Sequence, residues 1–189
     1  MDSTSNGTAG VLKMSDIELD VETPASEPVR ARKRGRRVAV TESPPAGIAP
    51  PDYSDAFEVP RRAADPRTAE GWARDGFDQL PVVTRRGGLL AHRLLLGFRL
   101  GPWSSPEHIF GWKVVSSEPD LLHLEARSKW LDGHMVWRLD DTHLTMTTFV
   151  RYEMLRTGLL VWGALGNVHR ASAPCLLKLA STPPRAGAR

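Results

Sequence analysis

LLHLEARSKWLDGHMVWRLDDTHLTMTTFVRY, residues 121–152, is the stretch whose reading decides the fold. Positions 122, 124, 126, 128 and 130 are Leu, Leu, Ala, Ser and Trp, with His123, Glu125, Arg127 and Lys129 between them. Period two is the signature of a strand with one buried face. Asp132-Gly133 predicts a type I′ hairpin turn, whose two central residues both need φ > 0. That turn sets Trp130 opposite Met135, Ser128 opposite Trp137 and Ala126 opposite Leu139. Taking Asp141-Thr142 as the next loop sets Leu139 against Leu144, Trp137 against Met146 and Met135 against Thr148, and the third strand continues through Val150 and Tyr152. A slip of one residue would turn every one of these side chains to the opposite face. The expectation is three antiparallel strands with an inner face of Leu, Trp, Met, Thr and Tyr.

Residues 158–180, GLLVWGALGNVHRASAPCLLKLA, supply the cover for that face. Trp162, Leu165, His169, Ser172 and Leu176 recur at steps of three or four and share one stripe of a helix. Pro174 removes a backbone donor and clashes one turn back, so a kink or a break into two helical pieces is expected there.

Working back towards the N-terminus, Tyr53–Val59 reads as a strand ended by Pro60. Pro66 suits the first turn of a helix with Asp65 as its N-cap, carrying Ala69, Trp72, Ala73 and Phe77 to the core and ending at Pro81. After a Gly87-Gly88 break, Leu89–Phe98 reads as a second helical segment. Pro102 and Pro106 mark a loop, and Ile109–Ser117 a further strand. Helices set to one side of an antiparallel sheet define an α+β domain, placed at residues 51–181 with a disordered tail at 182–189. Residues 1–50 read as a disordered arm rich in Ser, Thr, Gly, Pro and charge. An acidic patch (Asp16, Glu18, Asp20, Glu22) precedes the basic run Arg30–Arg37, and Pro44–Pro51 stiffens the approach to the domain.

The chain has 189 residues and a net charge of +3. Seven of its 25 basic and seven of its 22 acidic side chains fall in the first fifty residues, which leaves the folded part only mildly cationic. Nucleic-acid binding through the folded domain is not expected, because such domains carry a dense basic face. The single cysteine, Cys175, excludes an internal disulfide and a Cys-rich zinc site, and in its apolar helix run it reads as a packing residue. The polar start lacks the apolar core of a secretory signal, and no apolar run approaches the ~20 residues of a membrane span. A cytoplasmic protein without a transmembrane segment is the expectation. His92, His108, His123, His134, His143 and His169 show no HxxxH or HExxH spacing, and the hairpin registers bring no two of them together, so no metal is expected. No GxSxG, P-loop or GxGxxG is present, and no cofactor is expected.

The order of elements, with Asp52-Tyr53-Ser54-Asp55-Ala56-Phe57, Leu144-Thr145-Met146-Thr147-Thr148-Phe149-Val150 and Gly158 followed by His169-Arg170, resembles the helix-grip fold of the SRPBCC, Bet v 1-like or START-related superfamily. That superfamily includes polyketide cyclase-like and lipid-transfer proteins. More narrowly, these words are similar to an uncharacterised bacterial domain-of-unknown-function family within it, across roughly residues 52–181. In that family a Thr-rich strand leads to a Gly and then to a Pro-aromatic-His-Arg element; here the element reads Asn167-Val168-His169-Arg170, without the proline and the aromatic. The resemblance implies a sheet wrapped around the C-terminal helix with a hydrophobic cavity between them.

His169 is the candidate catalytic residue, since an imidazole on a cavity-facing stripe suits general acid–base work. The alternative is a buried histidine satisfied by a backbone carbonyl or by Tyr152. Trp112, Ser128, Trp130, Trp137, Thr148, Tyr152, Trp162 and Leu165 are the candidate ligand-binding residues: flat aromatic surfaces, an apolar stripe and a few hydroxyls. The same tryptophans at strand spacing also suit an ordinary core. The leading expectation is a module for a small apolar or cyclic molecule, with or without cyclase-like acid–base chemistry. The other is a non-catalytic scaffold whose Arg30–Arg37 run engages an acidic partner.

Overall fold

The computed structural model describes residues 35–62 and 65–182. In chain order the elements are β1 (Arg36–Val38), β2 (Tyr53–Pro60), α1 (Ala69–Asp78), α2 (Val82–Leu94), β3 (Ser104–Ser105), β4 (His108–Ile109), β5 (Trp112–Ser117), β6 (Leu121–Arg127), β7 (Leu131–Leu139), β8 (His143–Tyr152) and α3 (Leu155–Ala180). The strands form one antiparallel sheet in the order β1-β2-β8-β7-β6-β5-β4-β3, and the fold is α+β. No helix among the described residues is long and apolar enough to cross a membrane.

The β7–β8 hairpin has the expected register, with Leu139 on Leu144, Trp137 on Met146 and Met135 on Thr148. The β6–β7 hairpin does not. Asp132-Gly133 lies inside β7, and the chain turns at residues 128–130. There Ser128 Oγ accepts hydrogen bonds from the backbone of Trp130 and Leu131. Trp137 therefore pairs with Leu122 and Met135 with Leu124. The slip from the expected partners is an even number of residues, so the same side chains still face inward. Gly133 serves close approach instead of a turn: a Cβ there would lie 3.1 Å from the Phe98 ring and 3.2 Å from Trp112. The slip also buries Leu131 completely.

Other boundaries move for similar local reasons. The expected strand Ile109–Ser117 is cut by a tight turn at Phe110-Gly111, both at positive φ (53° and 76°), which folds β5 back onto β4. The N-cap of α1 is Thr68, whose hydroxyl accepts from Gly71 N at 3.1 Å. Asp65 instead grips Arg67, which lies over the Trp72 ring and also reaches Asp75 and the carbonyl of Ala180. Helix α2 begins directly after Pro81 and runs through Gly87-Gly88. Helix α3 passes Pro174 unbroken.

The arm expected over residues 1–50 is ordered in its last part. β1 pairs with β2, and Arg36 forms an ion pair with Glu58. Residues 30–34 of the basic run, and its proposed acidic partner, lie outside the described residues. On the sheet's outer face Ala56, His134, Val136, Thr147 and Phe149 are buried. The cover is the segment between β1 and β2. Glu42 holds Arg138 with two hydrogen bonds of 2.6 and 2.8 Å, and Pro44, Pro45, Ile48, Ala49 and Pro51 are half-buried. This strap, and not a linker, is what the Pro-rich stretch builds.

The inner face is filled unevenly. Towards the β7–β8 turn, α1 and the end of α3 close a solid core: Trp72 and Phe77 from α1, Trp137, Leu144 and Met146 from the sheet, Leu177 and Ala180 from α3. Towards the other end the cover is α2, and α2 buries none of its residues.

Candidate functional site

That second end is open. Between α2, the sheet and α3 lies a cavity of about 310 Å³, continuing into a smaller one of about 140 Å³ towards the core. The sheet contributes Trp112, Gly133, Met135, Thr148 and Val150 to its wall, and α3 contributes Trp162, Leu165, Val168, His169 and Ser172. Helix α2 contributes Thr84, Gly87, Gly88, Ala91 and His92. Both compartments share His92 and His169, so two imidazoles from opposite helices stand where the compartments meet.

His92 Nδ1 lies 2.7 Å from the carbonyl of Gly88, one turn earlier. A carbonyl only accepts, so Nδ1 carries the proton and Nε2 a free lone pair. The rings of Phe98, Phe110 and Trp112 surround it at centroid distances of 6.0, 5.3 and 6.0 Å. His92 is half-buried, and its exposed part faces the cavity. Desolvation, and secondarily the charge of His169, hold its pKa below the usual value; the hydrogen bond to Gly88 opposes this without reversing it.

His169 is held differently. Its Nε2 donates to Asp55 Oδ1 at 3.2 Å. Asp55, on β2, is 1 % exposed and receives the Tyr53 hydroxyl on Oδ2 at 2.6 Å. Arg170 donates to the Tyr53 oxygen at 3.2 Å. Burial pushes the Asp55 carboxyl up, but the hydrogen bond and charge of His169, the Tyr53 bond and the Arg37 charge together outweigh it and hold the pKa below the usual range. Burial, helped by the bond to Asp55, raises the Tyr53 phenol. The satisfied-histidine alternative therefore has a different partner from those expected: neither a carbonyl nor Tyr152, but a buried carboxylate. The cavity meets one imidazole boxed in by aromatic rings and one backed by an anion.

Of the candidate residues, Trp112, Thr148, Trp162, Leu165 and His169 line the cavity. Ser128 caps the β6–β7 turn, and Trp130 packs on the backbone at Gly97. Trp137 is fully buried against Phe77, and Tyr152 lies against Gly158. None of these four reaches the cavity, because the hairpin slip moves Ser128 and Trp130 off the strand and α1 covers Trp137. Thr148 Oγ1 and the indole N–H groups of Trp112 and Trp162 are buried without a partner among the described residues, so polar capacity is left over on the cavity wall. Cys175 is exposed on α3 and not a packing residue.

Two members of the site escape a reading of spacing. His92 sits in a run whose bulk is Leu and Arg, and only the helix's start at Val82 shows that it faces inward. Asp55 is an acidic residue on a strand's inner face. Two other histidines also come together, against the expectation from the hairpin registers: on the outer face His123 Nε2 and His134 Nδ1 are 3.0 Å apart. His134 Nε2 lies 3.2 Å from Asp132 Oδ1 but is not aligned for a hydrogen bond. Among the described residues no three His, Cys, Asp or Glu side chains converge as a metal site would require.

The fold and site together define an α+β domain with an apolar cavity under a lid helix and two histidines at its waist. No protein-family model, curated protein or solved structure matches the chain.

Proposed function

We propose that the domain binds a small, mostly apolar molecule in the cavity between α2, the sheet and α3, on a helix-grip type of scaffold. The observation that carries this reading is the cavity itself. At about 310 Å³ it falls within the range of about 300–1,000 Å³ of small-molecule sites, and an apolar wall with a few convergent polar groups is their usual chemistry. The aromatic walls favour a flat or cyclic ligand. The hydroxyl of Thr148 and the lone pair of His92 Nε2 favour one that carries an oxygen function.

The chemistry available to such a ligand is proton transfer. His92, neutral at pH 7, accepts a proton at Nε2 from an acidic C–H or O–H. His169, with Nε2 tied to Asp55, leaves Nδ1 as the ring's second site for exchanging a proton. A base and an acid of this kind suffice for enolisation and intramolecular ring closure.

Native mass spectrometry of the purified protein, before and after incubation with aromatic polyketides and fatty acids, tests the binding. The expected result is an added mass on the wild type and none on Ala91→Phe, which fills the space beneath α2. A bare wild-type mass with every probe, together with unchanged tryptophan fluorescence, overturns the reading.

A further inference from the structure

Large apolar side chains that stand exposed among the described residues are not scattered. All but Val40 and Val115 lie on α2 with its C-cap Leu95, or on α3 with its N-cap Met154. On α2, Val83, Leu90 and Leu94 recur at steps of seven and four, so they form one stripe pointing away from the cavity. Val83 is 84 % exposed and Leu94 69 %. A surface helix usually turns charge to water; this one turns much of its aliphatic bulk outward and mostly small residues towards the cavity.

The charge beside the stripe has one sign. Arg86 and Arg93, seven residues apart and both exposed, flank it. Residues 79–106 contain no Asp or Glu, and neither does any residue from Met154 to the end of the chain. The nearest carboxylate to α3 in sequence, Glu153, is matched by Arg151 at 3.8 Å. On α3, Leu155, Leu159 and Leu160 stand exposed beside Arg156. The cavity's exposed wall residues are Thr84 and Gly87 on α2 and Val168 and Ser172 on α3, which puts its mouth between these two helices.

We propose that this face, the outer stripe of α2 with the exposed Val168 of α3 at the rim of the mouth, docks on an anionic membrane surface and turns the cavity mouth towards the lipid. Exposed aliphatic residues rimmed by arginine suit the boundary between headgroups and acyl chains. The uniform positive charge disfavours pairing of the face with a second copy of itself. The proposal rests on the mouth's position and not on what the cavity holds.

Co-sedimentation of the full chain with phosphatidylcholine vesicles, with and without phosphatidylglycerol, tests it. Binding is expected only where phosphatidylglycerol is present, and it weakens as salt is raised. Arg86→Glu/Arg93→Glu and Leu90→Glu/Leu94→Glu should each lower the bound fraction about tenfold or more, with circular dichroism confirming the fold. His92→Gln should leave binding unchanged. Arg32→Glu/Lys33→Glu/Arg34→Glu separates this face from the basic run: binding retained supports the proposal, and binding lost only in that variant overturns it. Failure to bind phosphatidylglycerol vesicles overturns it too, as does a dimer in sedimentation velocity that the leucine variant dissolves.

Discussion

Replacing His123 by Gln should flatten the protein's stability profile in mild acid. His123 and His134 share a hydrogen bond of 3.0 Å on the outer face, and both are buried. Burial, and then the charge of His134, push His123 down to about 4; the Asp132 carboxylate opposes them. In the unfolded chain the same group titrates near 6.5. A base with a depressed folded pKa stays neutral in the fold and takes up a proton on unfolding. Its effect is therefore absent above about pH 6.5, grows as pH falls towards 4, and levels off below. One pH unit in that window corresponds to about 1.4 kcal/mol, so the loss approaches about 3 kcal/mol. Gln at 123 keeps a donor for His134 Nδ1 and does not titrate. Urea unfolding of both proteins, from neutral pH down to about pH 4.5, should show the wild type losing stability faster. His92 adds an equal slope to both proteins and cancels in the difference. Parallel curves would refute the assignment of the proton to this pair.

Two further perturbations probe the inner face. Leu144→Ala, fully buried between Leu139 and Val59, should cost about 2–5 kcal/mol, read as a lower urea midpoint with an unchanged denaturant slope. Asp55→Asn should cost about 1–3 kcal/mol at neutral pH, since it replaces a charged acceptor of two hydrogen bonds. Because the folded pKa of Asp55 is lowered, its contribution is complete above about pH 3.9 and is lost as pH falls through the folded value. The gap to wild type should narrow in acid, and a gap that widens there would contradict the pairing with His169.

The sheet was legible where local chemistry and long-range packing agree. Asp141-Thr142 sits between two strands whose apolar residues match one for one, and the hairpin follows. Asp132-Gly133 carries a stronger turn signal, yet Phe98 and Trp112 need the missing side chain at 133 and the core needs Leu131, so tertiary packing overrides the local preference. Because that slip is even, the identity of the buried face survived a wrong register. The stripe Trp162, Leu165, His169, Ser172 was legible because α3 is long enough for its period to show. Asp55 was not, because nothing local distinguishes an inward carboxylate on a strand from a mistake in period. The outer face was illegible for a related reason: an extended Pro-rich strap covers it, and a strap has no periodicity to read.

Helix α2 shows why the cavity exists. An amphipathic helix over a sheet normally turns its bulk inward, and burial holds it there. In α2 the positions that face the cavity are Thr84, Gly87, Gly88, Ala91 and His92, four small residues and one imidazole; Leu89 alone of its leucines packs against the core, while Val83, Leu90 and Leu94 point out. Each glycine costs about 1 kcal/mol of helix propensity relative to alanine, and the helix offsets this only through partial burial, chiefly of Leu89 and His92, since none of its residues is fully buried. Space follows directly: side chains absent from the inner face of α2 are volume left between it and β7 and β8. The same inversion that empties the cavity loads the outer surface with aliphatic groups. The vacant interior and the apolar exterior are thus two consequences of one pattern of thirteen residues, and a substitution such as Ala91→Phe that restores inward bulk should close the first without touching the second.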